Sequence, residues 1–362
     1  MKLRRAALTL HRWLGVAVAP FLFTAGITGA IFALQPDLER WLHPELYRAS
    51  PSGAALSEDA LAERVRASAD GDAISVIHYP GPALARVFEL QSGRRVFVDP
   101  RSGAILGSLA DDAPLARFLL AVRRVHTHLL AGIPGQWIVD LATLAALLLL
   151  PLGLALWWKR KTMTIDRHRG WRRINLDVHS ATGFYSLVLA ALVTLTGVFI
   201  AFEGALHFVT RSQPVRAEAL PHSTIPTGAP HADAPLDSIV AAADRALPLQ
   251  ATIGIEMPGT ARSAIRVVKR GAAGVGRSTV FLDRYTGALL RVDDFASAGR
   301  AERAHAYNRA LHTGELLGLP SRIVMSLTSL AIALLAVTGV AQWWRRIGAT
   351  ARPAPAHGAS AL

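Results

Sequence analysis

Four apolar windows of the chain are almost without charged residues: Trp13–Leu34, Trp137–Trp158, Ala181–Phe202 and Ile323–Trp344. A helix needs about 20 apolar residues to cross the hydrocarbon core of a bilayer, and each window reaches that length. The pattern therefore predicts four transmembrane helices, with Asp140 near the start of the second as the one acidic intrusion. Between the windows the period shortens. VFVDPRSGAIL (Val96–Leu106) and VFLDRYTGALL (Val280–Leu290) place a turn rich in Asp, Pro and Gly between two apolar runs, which reads as a β-hairpin. A helical stretch with acidic residues in its first turn precedes each, near Glu58–Ala67 and Leu236–Ala246. Short strands are expected over Ala73–Tyr79 and Ala251–Glu256, so each long connection predicts a small α+β domain. His222–Pro235 reads as a linker, and the tail from Ala349 as disordered.

The chain is also written twice. VHTHLLAGIPGQW aligns without a gap on LHTGELLGLPSRI, so that His126 matches His312, Gly132 matches Gly318 and Pro134 matches Pro320. The register persists through the following window to Trp157-Trp158 and Trp343-Trp344, with Gly153 against Gly339. The odd windows repeat as well: His11 matches His179, Gly15 matches Gly183, and Thr28-Gly29 matches Thr196-Gly197. The expected fold class is a membrane α-helical protein, a four-helix transmembrane bundle made of two parallel tandem repeats. Parallel repeats imply a pseudo-two-fold axis along the membrane normal. Small residues such as Gly26, Gly29, Gly183 and Gly197 are expected to let helices approach closely.

This divides the chain into a first span (1–35), a first exported domain (36–112), and an outer amphipathic helix with the second span (113–160). A basic loop (161–178) and the third span (179–204) follow. A second exported domain with its linker (205–300), an outer helix with the fourth span (301–346) and a tail (347–362) complete it.

Composition agrees with a membrane protein: charged residues are 18% of the chain and mean hydropathy is +0.31. A net charge of +13 suggests nucleic acid in a soluble protein, but here the basic residues gather at window edges. Lys2, Arg4, Arg5 and Arg12 precede the first window. Lys159, Arg160, Lys161, Arg167, Arg169, Arg172 and Arg173 lie between the second and third, and Arg345 and Arg346 follow the fourth. The positive-inside rule puts these clusters and both termini in the cytoplasm, with the long connections outside; lipid, not nucleic acid, is the expected partner. The apolar run after the basic N-terminus is longer than a signal peptide's and has no small-x-small cleavage site, so it reads as a retained span.

No cysteine is present, which excludes disulfides, thiolate metal sites and covalent haem attachment. Histidine is the main nitrogen ligand, and there are 13. The repeat selects two pairs, His11 with His179 at the cytoplasmic ends of the odd spans, and His126 with His312 before the even ones. A six-coordinate haem iron takes one imidazole on each face, a demand that two-fold-related helices meet. Arg12, Arg172 and Arg173 inside, and Arg123, Arg124 and Arg309 outside, are candidates to pair with propionates. Amphipathic filler, a pH sensor or a zinc site are the competing readings of the same histidines. His128, whose counterpart is Gly314, points away from His126 on a helix; it, His43 and His207 are reserve ligands. His78, His168, His222, His231, His305 and His357 read as loop or tail residues.

LHRWLG with Thr28-Gly29, LHTGELLGLP leading to TGVAQWWRR, and the paired hairpins resemble the PepSY-associated transmembrane family, whose members include bacterial inner-membrane ferric-siderophore reductases. The resemblance spans Leu10 to Arg346. It implies two periplasmic PepSY-like domains and two b-type haems, the inner on His11 and His179 and the outer on His126 and His312. It also implies reduction of siderophore-bound ferric iron, with electrons from a separate cytoplasmic reductase or from quinol. The chain has neither a Gly-x-Gly-x-x-Gly nor a P-loop motif of its own. A non-enzymatic PepSY protein that binds peptides or inhibits a periplasmic peptidase is the alternative; a transporter lacks the interrupted helices of a midplane site.

Overall fold

The computed structural model describes residues 2–110, 113–159, 161–212, 219–228, 232–271 and 274–350. In chain order its elements are α1 (Lys2–Ala33), α2 (Gln35–Leu42), α3 (Pro44–Tyr47), α4 (Glu58–Ser68), β1 (Ile74–His78), β2 (Arg86–Leu90), β3 (Arg95–Val98) and β4 (Ile105–Leu109). Then come α5 (Pro114–His128), α6 (Gly132–Trp157), α7 (Trp171–Ala201), α8 (Glu203–Thr210) and α9 (Leu236–Ala246). The chain continues through β5 (Gln250–Glu256), β6 (Ile265–Gly271), β7 (Ser278–Leu282), β8 (Leu289–Asp293), α10 (Arg300–Thr313) and α11 (Leu319–Thr350). The described residues form two compact units: a helical one within 1–34, 121–202 and 311–350, and a sheet unit within 35–120 and 203–310.

In the helical unit α1, α6, α7 and α11 are, among the described residues, the four helices long and apolar enough to cross a membrane. They pack in a ring in which α1 and α7 each touch both α6 and α11. The α1–α11 crossing is set by Gly26, where a β-carbon would meet the Ser329 carbonyl oxygen at 2.6 Å and the Ala333 nitrogen at 2.9 Å. Polar side chains tie the same helices in a medium without water to compete: Ser326 Oγ donates to the Ala30 carbonyl at 3.0 Å, and Asn175 Nδ2 on α7 donates to the Thr338 carbonyl at 3.0 Å. Between α5 and α6 the chain reverses through Leu129, Leu130 and Gly132, all at positive φ. Gly135 then passes so close to the His128 carbonyl that no side chain fits there.

The sheet unit is where the expected organisation changes. Two separate exported domains, 36–112 and 205–300, were the expectation. Instead the eight strands among the described residues form one antiparallel sheet in the order β4-β3-β2-β1-β5-β6-β7-β8. Its midline is the β1–β5 pair, with Ile77 opposite Ile255. A lone four-stranded half leaves its first strand's edge unpaired, and pairing the two edges removes that exposure. Helices α4 and α9 share a core with the sheet built from Leu61, Val65, Phe88, Ile239, Ile265 and Val280 among others. A second cluster of Leu46, Ala85, Val87 and Phe97 packs separately, so Val87 and Phe88 serve different cores as strand alternation requires.

The two helices cap each other. Asp59 of α4 accepts from the Leu236 and Asp237 amides at 2.8 and 3.1 Å, and Asp237 of α9 accepts from the Glu58 and Asp59 amides at 2.9 and 3.4 Å. The hairpin turns are equally matched. Asp99 accepts from the Arg101 and Ser50 amides at 2.9 and 3.1 Å, and Asp283 accepts from the Tyr285, Thr286 and Thr224 amides at 2.8–3.0 Å. Burial pushes both carboxyls up, but these hydrogen bonds outweigh it and hold both below the usual carboxylate range.

Strands β2 and β6 were not singled out in the sequence. In β6 the charges of Arg266 and Lys269 break the apolar run, yet Arg266 sits opposite Glu256 and pairs with it, and Lys269 is fully buried against Asp244. His78 and His305, expected in loops, lie in β1 and α10, and His222 forms an isolated bridge to Ser263. The helix α7 begins at Trp171, within the stretch expected as basic loop. Arg160, His231, His357 and the tail beyond 350 lie outside the described residues.

Candidate functional site

His11 and His179 come from helices on opposite sides of the ring, yet their imidazole centres are 6.4 Å apart with planes at 83°. A metal–imidazole bond is about 2 Å, and with the ring radius added on each side two imidazoles in line on one metal have centres roughly 6–6.5 Å apart. The separation fits one metal between them.

Each of the four repeat-paired histidines lies against a glycine of a spanning helix. A β-carbon at Gly29 would stand 3.1 Å from His126 Cε1, and at Gly197 3.2 Å from His312 Cε1. The corresponding distances are 3.3 Å from Gly153 to His11 and 3.5 Å from Gly339 to His179. The glycines are cradles that admit the rings.

The residue before the glycine then fixes the ring in three of the four cases. His126 Nδ1 is 3.0 Å from Thr28 Oγ1, His312 Nδ1 is 3.1 Å from Thr196 Oγ1, and His179 Nδ1 is 2.8 Å from Thr338 Oγ1. Each hydroxyl already donates its proton one turn back, Thr28 to the Thr24 carbonyl at 2.6 Å, Thr196 to Leu192 at 2.7 Å and Thr338 to Leu334 at 2.7 Å. The oxygen can only accept from the imidazole, so Nδ1 carries the proton and Nε2 keeps a free lone pair. A ring held this way is prepared to ligate through Nε2. Phe32 stacks on His126 with centres 6.3 Å apart.

The other candidates divide. His128 bonds its Thr127 neighbour through Nδ1 at 2.5 Å, and meets no Thr-Gly pair. His43 lies 3.4 Å from Glu45, and His207 lies 3.4 Å from Ser212, both in the sheet unit. Arg173 pairs with Asp177, itself almost wholly buried, at 2.9 Å. Arg12 has a buried Nε without a hydrogen-bond partner among the described residues. Arg123, Arg124, Arg172 and Arg309 are exposed. Among the described residues no cluster of three or more His, Asp or Glu is placed to hold a bare metal ion.

Thr338, which holds the His179 ring, was not singled out in the sequence. For Thr338 the signal was weak: Thr-Gly stands at 28–29, 196–197 and 338–339, but also at 182–183, 227–228, 286–287 and 313–314.

The model of a family described as PepSY-associated TM region matches residues 8–346. No curated protein matches the chain.

Proposed function

The chain belongs to the PepSY-associated TM region family and is a membrane protein, and from that premise we propose that it holds two b-type haems and reduces ferric iron across the bilayer. The observation that carries the proposal is the paired set of clasped histidines, with Nε2 left free wherever a threonine fixes Nδ1. His11 and His179 would hold one haem, and His126 and His312 the other. The buried Nε of Arg12 supports a propionate partner at the first. A pair of imidazoles suits a metal that brings its own in-plane ligands, as porphyrin iron does.

We read the helices as two parallel repeats, because the His126–Thr28 contact has its match in His312–Thr196. The basic clusters argue for cytoplasmic termini and a bacterial inner membrane, with the sheet unit in the periplasm. Bound haem would supply one-electron transfer from a cytoplasmic reductase or quinol on the His11/His179 side to siderophore iron on the other. Siderophore oxygens are hard ligands that hold Fe(III) far better than Fe(II), so reduction frees the metal. The protein's residues position and tune; they supply no electron of their own.

A reduced-minus-oxidised spectrum of the detergent-solubilised protein, with extracted haem counted per chain, tests this. Two haems are expected in the wild type. His11→Ala or His179→Ala should lose one, His126→Ala or His312→Ala the other, and His128→Ala neither. A colourless protein overturns the proposal and returns the sheet unit to a peptide-binding role.

A further inference from the structure

The four clasps are not equal. Thr28, Thr196 and Thr338 each precede the cradle glycine, whereas the residue before Gly153 is Leu152. Each ring also has a helix carbonyl four residues before its glycine on the same side: Ala25, Val193, Leu335 and, for His11, Leu149. For His11 that carbonyl is the one acceptor near Nδ1 among the described residues. Its Nδ1 is buried and forms no hydrogen bond of normal geometry among the described residues, while His179 across from it holds Thr338 Oγ1 at 2.8 Å.

We infer that the threonines are positioning residues that set ligand strength, and that Leu152 makes His11 the weak donor of the four, raising the reduction potential of the His11/His179 site. The inference rests on the haem reading above. An imidazole whose N–H is held by an acceptor is more basic, gives more electron density to the metal, and favours Fe(III) over Fe(II). Thr338 supplies that acceptor to His179. Leu152 withholds it from His11, so one ligand of that pair is strengthened and its mate is not. At the His126/His312 pair both ligands are strengthened by the same device.

The test is a spectroscopic redox titration in the His126→Ala background, where only the His11/His179 haem remains. Adding Leu152→Thr should shift its midpoint to lower potential, and adding Thr338→Val should shift it to higher potential. In the wild-type background Thr28→Val should raise the midpoint of the other haem and leave this one unmoved. An unchanged midpoint in Leu152→Thr with haem retained overturns the inference. If that variant does not fold, Thr338→Val decides alone, its upward shift supporting the inference and a constant midpoint overturning it. Absence of haem from the wild type is a different result, for it removes the haem reading itself.

Discussion

Two glycines three residues apart on α1 show how much a single side chain's surroundings decide. Gly26 faces the backbone of α11, which cannot yield, whereas Gly29 faces the edge of the His126 ring. Gly26→Ala should therefore destabilise the bundle by about 1–3 kcal/mol, as overpacking does, read as a lower unfolding midpoint in detergent. Gly29→Val should instead displace His126, and one of two haems should be lost from the spectrum. The sequence made both glycines visible, and Thr28-Gly29 stood out in the repeat. What it withheld was the partner. A small residue in an apolar helix reads as helix packing, and only the fold shows that Gly29 and Gly197 admit imidazoles instead.

At the scale of elements, the acidic first turns of α4 and α9 were legible but their purpose was not. Asp59 and Asp237 look like ordinary N-terminal acids serving their own helix dipoles. In the fold each caps the other helix, 178 residues away in the chain. The distinguishing prediction is that Asp59→Ala frays α9: amide hydrogen exchange at Leu236 and Asp237 should accelerate roughly fivefold, the effect of losing a cap worth about 1 kcal/mol. Faster exchange confined to α4 would contradict it.

The hairpin carboxylates make a second element-scale prediction. Asp99 and Asp283 are held below the ordinary carboxylate range in the folded chain, so the unfolded chain binds their protons first. Their contribution is fully present above the unfolded value near pH 4 and is lost as pH falls through the depressed folded values. Unfolding of the sheet unit, followed by exchange or chemical denaturation, should show stability falling below about pH 4. Asp99→Asn and Asp283→Asn should each flatten that dependence. A pH profile unchanged in both variants would show that other groups govern it.

At the scale of the molecule, the four spans and the four paired histidines could be read from the chain because apolar length and exact repetition are local or self-referential properties. The joining of two segments into one sheet was not, because pairing of β1 with β5 depends on contacts between parts of the chain that no short-range pattern relates. The charge-bearing β6 was hidden for a kindred reason: Lys269 looks solvent-directed until Asp244 of α9 is found beside it.

That midline pair also imposes an order on biogenesis. β1 is complete as soon as the first segment has left the ribosome, but its partner edge is encoded after α6 and α7. At about 5–20 residues per second, synthesis reaches Ile255 roughly 10–35 s after Ile77. During that interval a half-built sheet presents an open strand edge, the kind of template on which chains associate wrongly. Insertion of the middle two helices is thus a step in folding the sheet, and a chain stalled between them should be a preferred client for chaperones and proteases.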